Sequence, residues 1–195
     1  MLKAECGARN IPAFAFADDR SLQMDCAQSD TLVKLYDVMK RFCDKFDDSR
    51  IKFILLCGQA GTGKSSLAYA TANELISRGH SVCCMSAFDF NNALLKYHTS
   101  RLVDRASVME PVTDSDFLVI DDLGSETVLR NVTLEYLYNI VESRVNHGKR
   151  TMVTTNLSLE ELMARYGERT VSRMTNKSYS LTRELSGEDL RLLRF

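Results

Sequence analysis

Residues 51–65 read Ile51-Lys-Phe-Ile-Leu-Leu-Cys57-Gly58-Gln59-Ala60-Gly61-Thr62-Gly63-Lys64-Ser65. The first seven are an apolar run, too short for a typical helix and rich enough for a strand buried on both faces of a parallel sheet. The next eight fit the pattern G-x-x-x-x-G-K-[ST]. Glycines let the backbone curl until several N–H groups point at one phosphate, a shape that most side chains obstruct. A helix starting near Lys64 adds the positive end of its dipole, about half an elementary charge. Lys64 is placed to reach β- and γ-phosphates, and the Ser65 hydroxyl to ligate Mg²⁺. Gly58, Gln59, Ala60, Gly61, Thr62, Gly63, Lys64, Ser65 and Ser66 are therefore the candidate nucleotide contacts.

Outward from the loop, short apolar runs alternate with helical patterns. Residues 64–78 have a helical pattern closed by Gly79 at its C-terminal cap. Strands are expected at 81–86, at 117–120 running into Asp121-Asp122, at 151–155 and at 178–182. Helices are expected at 88–97, 134–145, 158–165 and 168–174, with Ser158 and Glu161 spaced as a capping box. Upstream, Leu32, Leu35, Tyr36, Met39, Phe42, Cys43 and Phe46 recur at helical spacing over 31–46, with Ser29 or Asp30 as cap. Residues 1–29 lack periodicity and form an arm whose Phe14 and Phe16 are expected to dock on the core; residues 30–195 form one domain. Alternation of this kind predicts an α/β domain with a mainly parallel five-stranded sheet flanked by helices, with little or no lid.

Composition sets the outer bounds. The chain has 195 residues, with Lys plus Arg 25 against Asp plus Glu 26, a net charge of −1. That balance excludes indiscriminate polybasic binding to nucleic acid and leaves room for a local basic groove. The six cysteines show no C-x-x-C pair and no zinc spacing. Cys57, Cys83 and Cys84 sit in strand patterns, and no apolar signal core follows Met1. Reduced, packed cysteines in a cytosolic protein are the expectation. No run approaches the ~20 apolar residues of a membrane span.

Two polar strand ends carry candidate chemistry. Asp121, expected beside the loop, is placed to hold Mg²⁺ through water, and Asp122 to polarise an attacking water. Asp122 is one methylene shorter than the Glu that more often fills this role, and Glu126 is a substitute base four residues on. Asn156 follows Thr154-Thr155 on the ligand-binding edge of such a sheet. It either orients water or γ-phosphate, or forms a turn before the capped helix.

Together these residues resemble the AAA+ ATPases, specifically the DnaC/IstB/DnaI-like branch of helicase loaders and transposition helpers. The resemblance is carried by the Gly58–Ser65 loop with Ser66-Leu67-Ala68, Leu118 to Gly124, Thr154 to Leu157, Gly167-Glu168-Arg169 with Arg173-Met174, and Gly187 to Arg191, after an Asn10-Ile11-Pro12 approach. It implies an ATP- and Mg²⁺-dependent P-loop ATPase of ASCE type. It implies Asn156 as sensor 1, Arg173 as an arginine finger completing a neighbouring subunit's site, with Arg169 the competitor, and Arg191 as the sensor-2 arginine. The implied partners are a DnaB-type replicative helicase, single-stranded DNA and further copies in an ATP-dependent oligomer, in the cytoplasm. Only about 50 residues precede the first strand. The N-terminal helicase-binding domain usual in such loaders is therefore expected to be missing, reduced to the arm and helix 31–46, or supplied elsewhere.

Lys96, Tyr97, His98 and Arg101 combine cations with stackable rings, the chemistry of a single-strand contact or of an ordinary helix end. His147-Gly148-Lys149-Arg150 is a second basic spot, suited to the negative end of a helix dipole. Other readings are a transposition helper on duplex DNA and an ATP-dependent binding module without turnover. A small-molecule kinase ranks lower, for want of an arginine-rich lid. A GTPase ranks lower still: Asn176-Lys177-Ser178 is followed by Tyr179 where guanine recognition needs Asp.

Overall fold

The computed structural model describes residues 28–100 and 102–187. In chain order these form α1 (Gln28–Asp44), β1 (Phe53–Gly58), α2 (Lys64–Ser77), β2 (Val82–Ser86), α3 (Ala87–Thr99), α4 (Leu102–Asp114) and β3 (Phe117–Asp121). A π-helical turn (Arg130–Leu134) leads into α5 (Glu135–Asn146), followed by β4 (Arg150–Thr154), α6 (Leu159–Tyr166), α7 (Glu168–Met174) and β5 (Ser180–Leu185). Phe14, Phe16, Asn10-Ile11-Pro12, Arg101 and Arg191 lie outside the described residues.

The strand order is β2-β3-β4-β1-β5, and all four pairings are parallel. Parallel neighbours need crossovers, and the helices supply them on both faces. Side chains alternate along β1. Phe53, Leu55 and Cys57 enter the core shared with α3, α4, α5 and α7. Ile54 and Leu56 enter the core shared with α1 and α2. All seven apolar positions of the 31–46 pattern are buried on that second face. Removing each such side chain from water is worth about 1.5–3 kcal/mol, so the burial fixes which side of α1 meets the sheet.

Three differences from the sequence reading have physical causes. The helix α4 was not expected; it carries Pro111, which removes one intrahelical donor and reads as a breaker. Its end is held from outside. Arg144 of α5 is 1 % exposed and donates to the carbonyls of Val112, Thr113 and Ser115 at 2.7, 3.2 and 3.1 Å. The same guanidinium donates to Thr151 Oγ1 at 2.9 Å and to the Arg150 carbonyl at 2.6 Å on β4. Burial pulls its pKa down to about 10, which leaves it a cation at neutral pH. Second, β5 begins at Ser180 rather than 178 and continues to Leu185, in register with β1 to its last residue. Third, β4 lies between β1 and β3, so the end of β3 is one strand away from the loop. The β4 terminus fills that gap.

Cys43, Cys57, Cys83 and Cys84 are free thiols. Among the described residues no helix is long and apolar enough to cross a membrane. The second basic spot is structural: Lys149 pairs with Asp116 at 2.9 Å, and Arg150 donates to the Asp47 carbonyl at 2.8 Å and covers the Phe46 ring.

Candidate nucleotide-binding site

The loop between β1 and α2 is shaped by backbone that only glycine accepts readily. Gly58, Gly61 and Gly63 have φ of 129°, 80° and 89°. At Gly58 space is as restrictive as torsion, because a Cβ would lie 1.9 Å from the Leu185 carbonyl oxygen of β5. The edge strand therefore closes directly over the root of the loop. Thr62 Oγ1 donates to the Gln59 carbonyl at 2.9 Å and pins the loop across its middle. The buried Lys64 ammonium donates to the Gly58 and Gln59 carbonyls at 2.7 and 2.5 Å and to Thr62 Oγ1 at 3.3 Å. Ser65 and Ser66 follow in the first turn of α2, whose N–H groups and dipole favour an anion. Beneath the loop, burial and the nearby Glu184 carboxylate push the Cys57 thiol up to about 11, so it stays protonated and inert.

The β4 terminus organises the acidic pair. Thr154 Oγ1 donates to Asp121 Oδ1 at 2.6 Å and accepts from the Asp122 backbone N–H at 2.9 Å. Asp122 sits in the left-handed region at φ 59°, a conformation uncommon for residues other than glycine. Its neighbours secure it: Leu123 N–H donates to the Thr154 carbonyl at 2.8 Å and Thr155 Oγ1 donates to the Leu123 carbonyl at 2.5 Å. Asn156 Nδ2 donates to Asp122 Oδ1 at 2.7 Å. The structure thus brings Asp122 and Asn156 into contact. Asp121 also accepts, at Oδ2, from the Tyr69 hydroxyl of α2 at 3.1 Å. Burial, then the Asp121 charge, raises the Tyr69 pKa and keeps that hydroxyl a donor.

Glu126 does not serve as a substitute base. It is 3 % exposed, and its carboxylate accepts from Gly124 N–H at 2.9 Å and from the Tyr166 hydroxyl. Arg165 donates to the Glu126 backbone carbonyl. The residue clips the loop after β3 to the end of α6. Sequence reasoning missed Tyr69, the hold of Thr154 on Asp121, and the clasp of Glu126 by Tyr166 and Arg165. The signal available for Tyr69 was its position four residues after Ser65, on the same face of α2.

The other candidates lie elsewhere. Arg173 pairs with Glu142 of α5 at 3.0 Å, and Arg169 covers the Tyr138 ring of α5 at 4.3 Å. On α3, Lys96 and His98 are exposed; Tyr97 packs edge-on to Tyr136, and His98 Nδ1 lies 3.1 Å from the Tyr136 hydroxyl. Phe88, on the same helix, is 63 % exposed. Asn176 accepts from Ser178 N–H in the turn before β5, a local role with no relation to a base pocket.

A parallel sheet with a glycine loop after β1, an acidic β3 end and a polar β4 strand between them defines a P-loop nucleotide-binding protein. The chain belongs to the IstB-like ATP-binding protein family, whose model matches residues 42–177. The replicative helicase loader DnaC of Escherichia coli (strain K12) is 30 % identical over 135 residues, 69 % of this chain and 54 % of that protein. The chain thus spans about half the length of the curated relatives it matches. A crystal structure of the DnaC helicase loader superposes with a TM-score of 0.72 at 23 % identity, covering 93 % of this chain and 100 % of that one. AMPPCP-bound DnaA from Aquifex aeolicus superposes with a TM-score of 0.71 at 21 % identity, covering 92 % and 52 %.

Proposed function

We propose that the chain is a Mg²⁺-dependent ATPase that assembles on ATP, binds single-stranded DNA and loads or remodels a DnaB-type replicative helicase. The observation that supports it most is the contact of Asn156 with Asp122 at the sheet edge that holds the loop. An amide held against a carboxylate is the pair this reading needs to align a water with a phosphate.

The residues present fit Mg²⁺: Ser65 offers a hydroxyl and Asp121 a carboxylate, hard oxygens few enough for an ion that keeps most of its waters. Bound there, the ion would neutralise charge on the β- and γ-phosphates. Lys64 exchanges its loop carbonyls for phosphate oxygens. Asp122 takes the proton of the attacking water while Asn156 holds the carboxylate in one orientation. Arg173 leaves Glu142 to complete a neighbour's site, and Arg191 contacts the nucleotide from the chain's own C-terminal segment. The single-strand surface is the exposed face of α3, with Phe88 and Lys96.

The test is co-purification with a replicative helicase, with and without ATP, comparing wild type with Lys64→Ala. Wild type retains the helicase in ATP and K64A does not. Absence of helicase from both sinks the loading reading. The match to the IstB-like model favours one second reading, a transposition helper on duplex DNA. Salt-dependent affinity for single strand against duplex separates the two.

A further inference from the structure

The geometry points to Tyr69 as a positioning residue that, with Thr154, fixes the Asp121 carboxylate for the metal of a bound Mg²⁺–ATP. This rests on the Mg²⁺-dependent reading above and adds a residue from the loop's own helix.

Asp121 ends β3, paired with Ser86 on one side. A carboxylate at a strand end has two side-chain torsions and turns readily unless something holds it. Here each oxygen has one hydroxyl donor, and the two donors come from different elements. Thr154 of β4 holds Oδ1 at 2.6 Å, and Tyr69 of α2 holds Oδ2 at 3.1 Å. An ionised carboxylate has about four lone-pair sites, so two hydroxyls leave room for metal-bound water on each oxygen.

Tyr69 also stands one helical turn beyond Ser65, on the same face of α2. One helix therefore carries a metal-ligand hydroxyl and, four residues on, the hydroxyl that aims the opposing carboxylate. Partial burial of the Tyr69 ring shelters its apolar part from water. It does not account for a hydroxyl directed at an acid on a strand two places from β1. Partners of this kind, behind a group that holds a metal, change its affinity by about tenfold or more when removed.

The experiment measures binding of a fluorescent ATP analogue to the full chain, titrated with Mg²⁺ and repeated in EDTA. Tyr69→Phe keeps the ring and removes the donor. Its affinity in EDTA stays within about twofold of wild type, while the Mg²⁺ concentration at half-maximal gain rises about tenfold. An unchanged Mg²⁺ midpoint overturns the role. An equal loss with and without Mg²⁺ also overturns it, because the residue then supports the loop rather than the metal. In an Asp121→Asn background the Tyr69→Phe effect disappears; its persistence overturns action through Asp121. Thermal unfolding in the absence of nucleotide checks the fold. Should Y69F unfold, Tyr69→Met fills the space without a donor and must shift the Mg²⁺ midpoint in the same direction. Wild type with no Mg²⁺ gain overturns the ATPase reading and this role together; a wild-type gain that Y69F shares overturns this role alone.

Discussion

Gly58 shows how far one residue carries both fold and site. Its φ of 129° and the Leu185 carbonyl 1.9 Å from a hypothetical Cβ are two independent demands for glycine. The obstructing atom is backbone in a paired strand and cannot rotate away. Gly58→Ala therefore costs about 3 kcal/mol, combining torsional strain with overpacking. Thermal unfolding falls by about 6–12 °C for a chain of this size, and ATP-analogue binding is lost with it. The motif already demanded glycine here for phosphate approach. That β5 presses on the same atom was not legible, because Leu185 lies 127 positions on and only the register of β1 with β5 brings it near. Asp122 is a similar case. Its type and place read directly from the sequence, but its left-handed backbone and its bond to Asn156 depend on where β4 ends.

Among the elements, local signals were legible where they were complete. The capping box at Ser158 and Glu161 forms as spaced, with both reciprocal bonds present. The apolar stripe of α1 is buried throughout, because a strong helical period leaves only one face to bury. The helix α4 was illegible, because its stability comes from a distant side chain. Arg144→Met strips the donor from four carbonyls, two of them buried and two half-buried, spread over the end of α4 and the start of β4. The expected loss is at least about 3 kcal/mol, seen as a lowered urea midpoint. Arg144→Lys does not restore it, because one ammonium cannot reach acceptors on both elements at once. Glu126 was misread for the same kind of reason. An acid near a candidate catalytic pair looks available in sequence, yet Tyr166, forty residues on, occupies it.

Across the whole molecule, the proposed reaction needs more than one copy. Arg173 is paired with Glu142 on its own chain, so its proposed use in a neighbour's site requires exchange of that partner on assembly. Arg173→Ala then keeps the fold and ATP binding and loses turnover. A mixture of R173A with Lys64→Ala regains turnover that neither has alone, since one supplies a binding-competent site and the other the arginine. A mixture as inactive as its parts assigns the arginine elsewhere. The net charge of −1 fits the proposal at this scale too: the proposed DNA contacts on the α3 face would gain strength through repetition across copies rather than through bulk charge.

By itself the sequence determined the strand–loop–helix unit at residues 51–78, the acidic strand end, the polar β4 terminus and the α/β class. Each depends on contiguous residues whose spacing states its own geometry. Tertiary structure alone decided that β4 lies between β1 and β3, that Thr154 and Tyr69 share Asp121, and that Glu126 is a clasp. Those facts depend on strand order and on pairs separated by tens of residues, which no local period encodes.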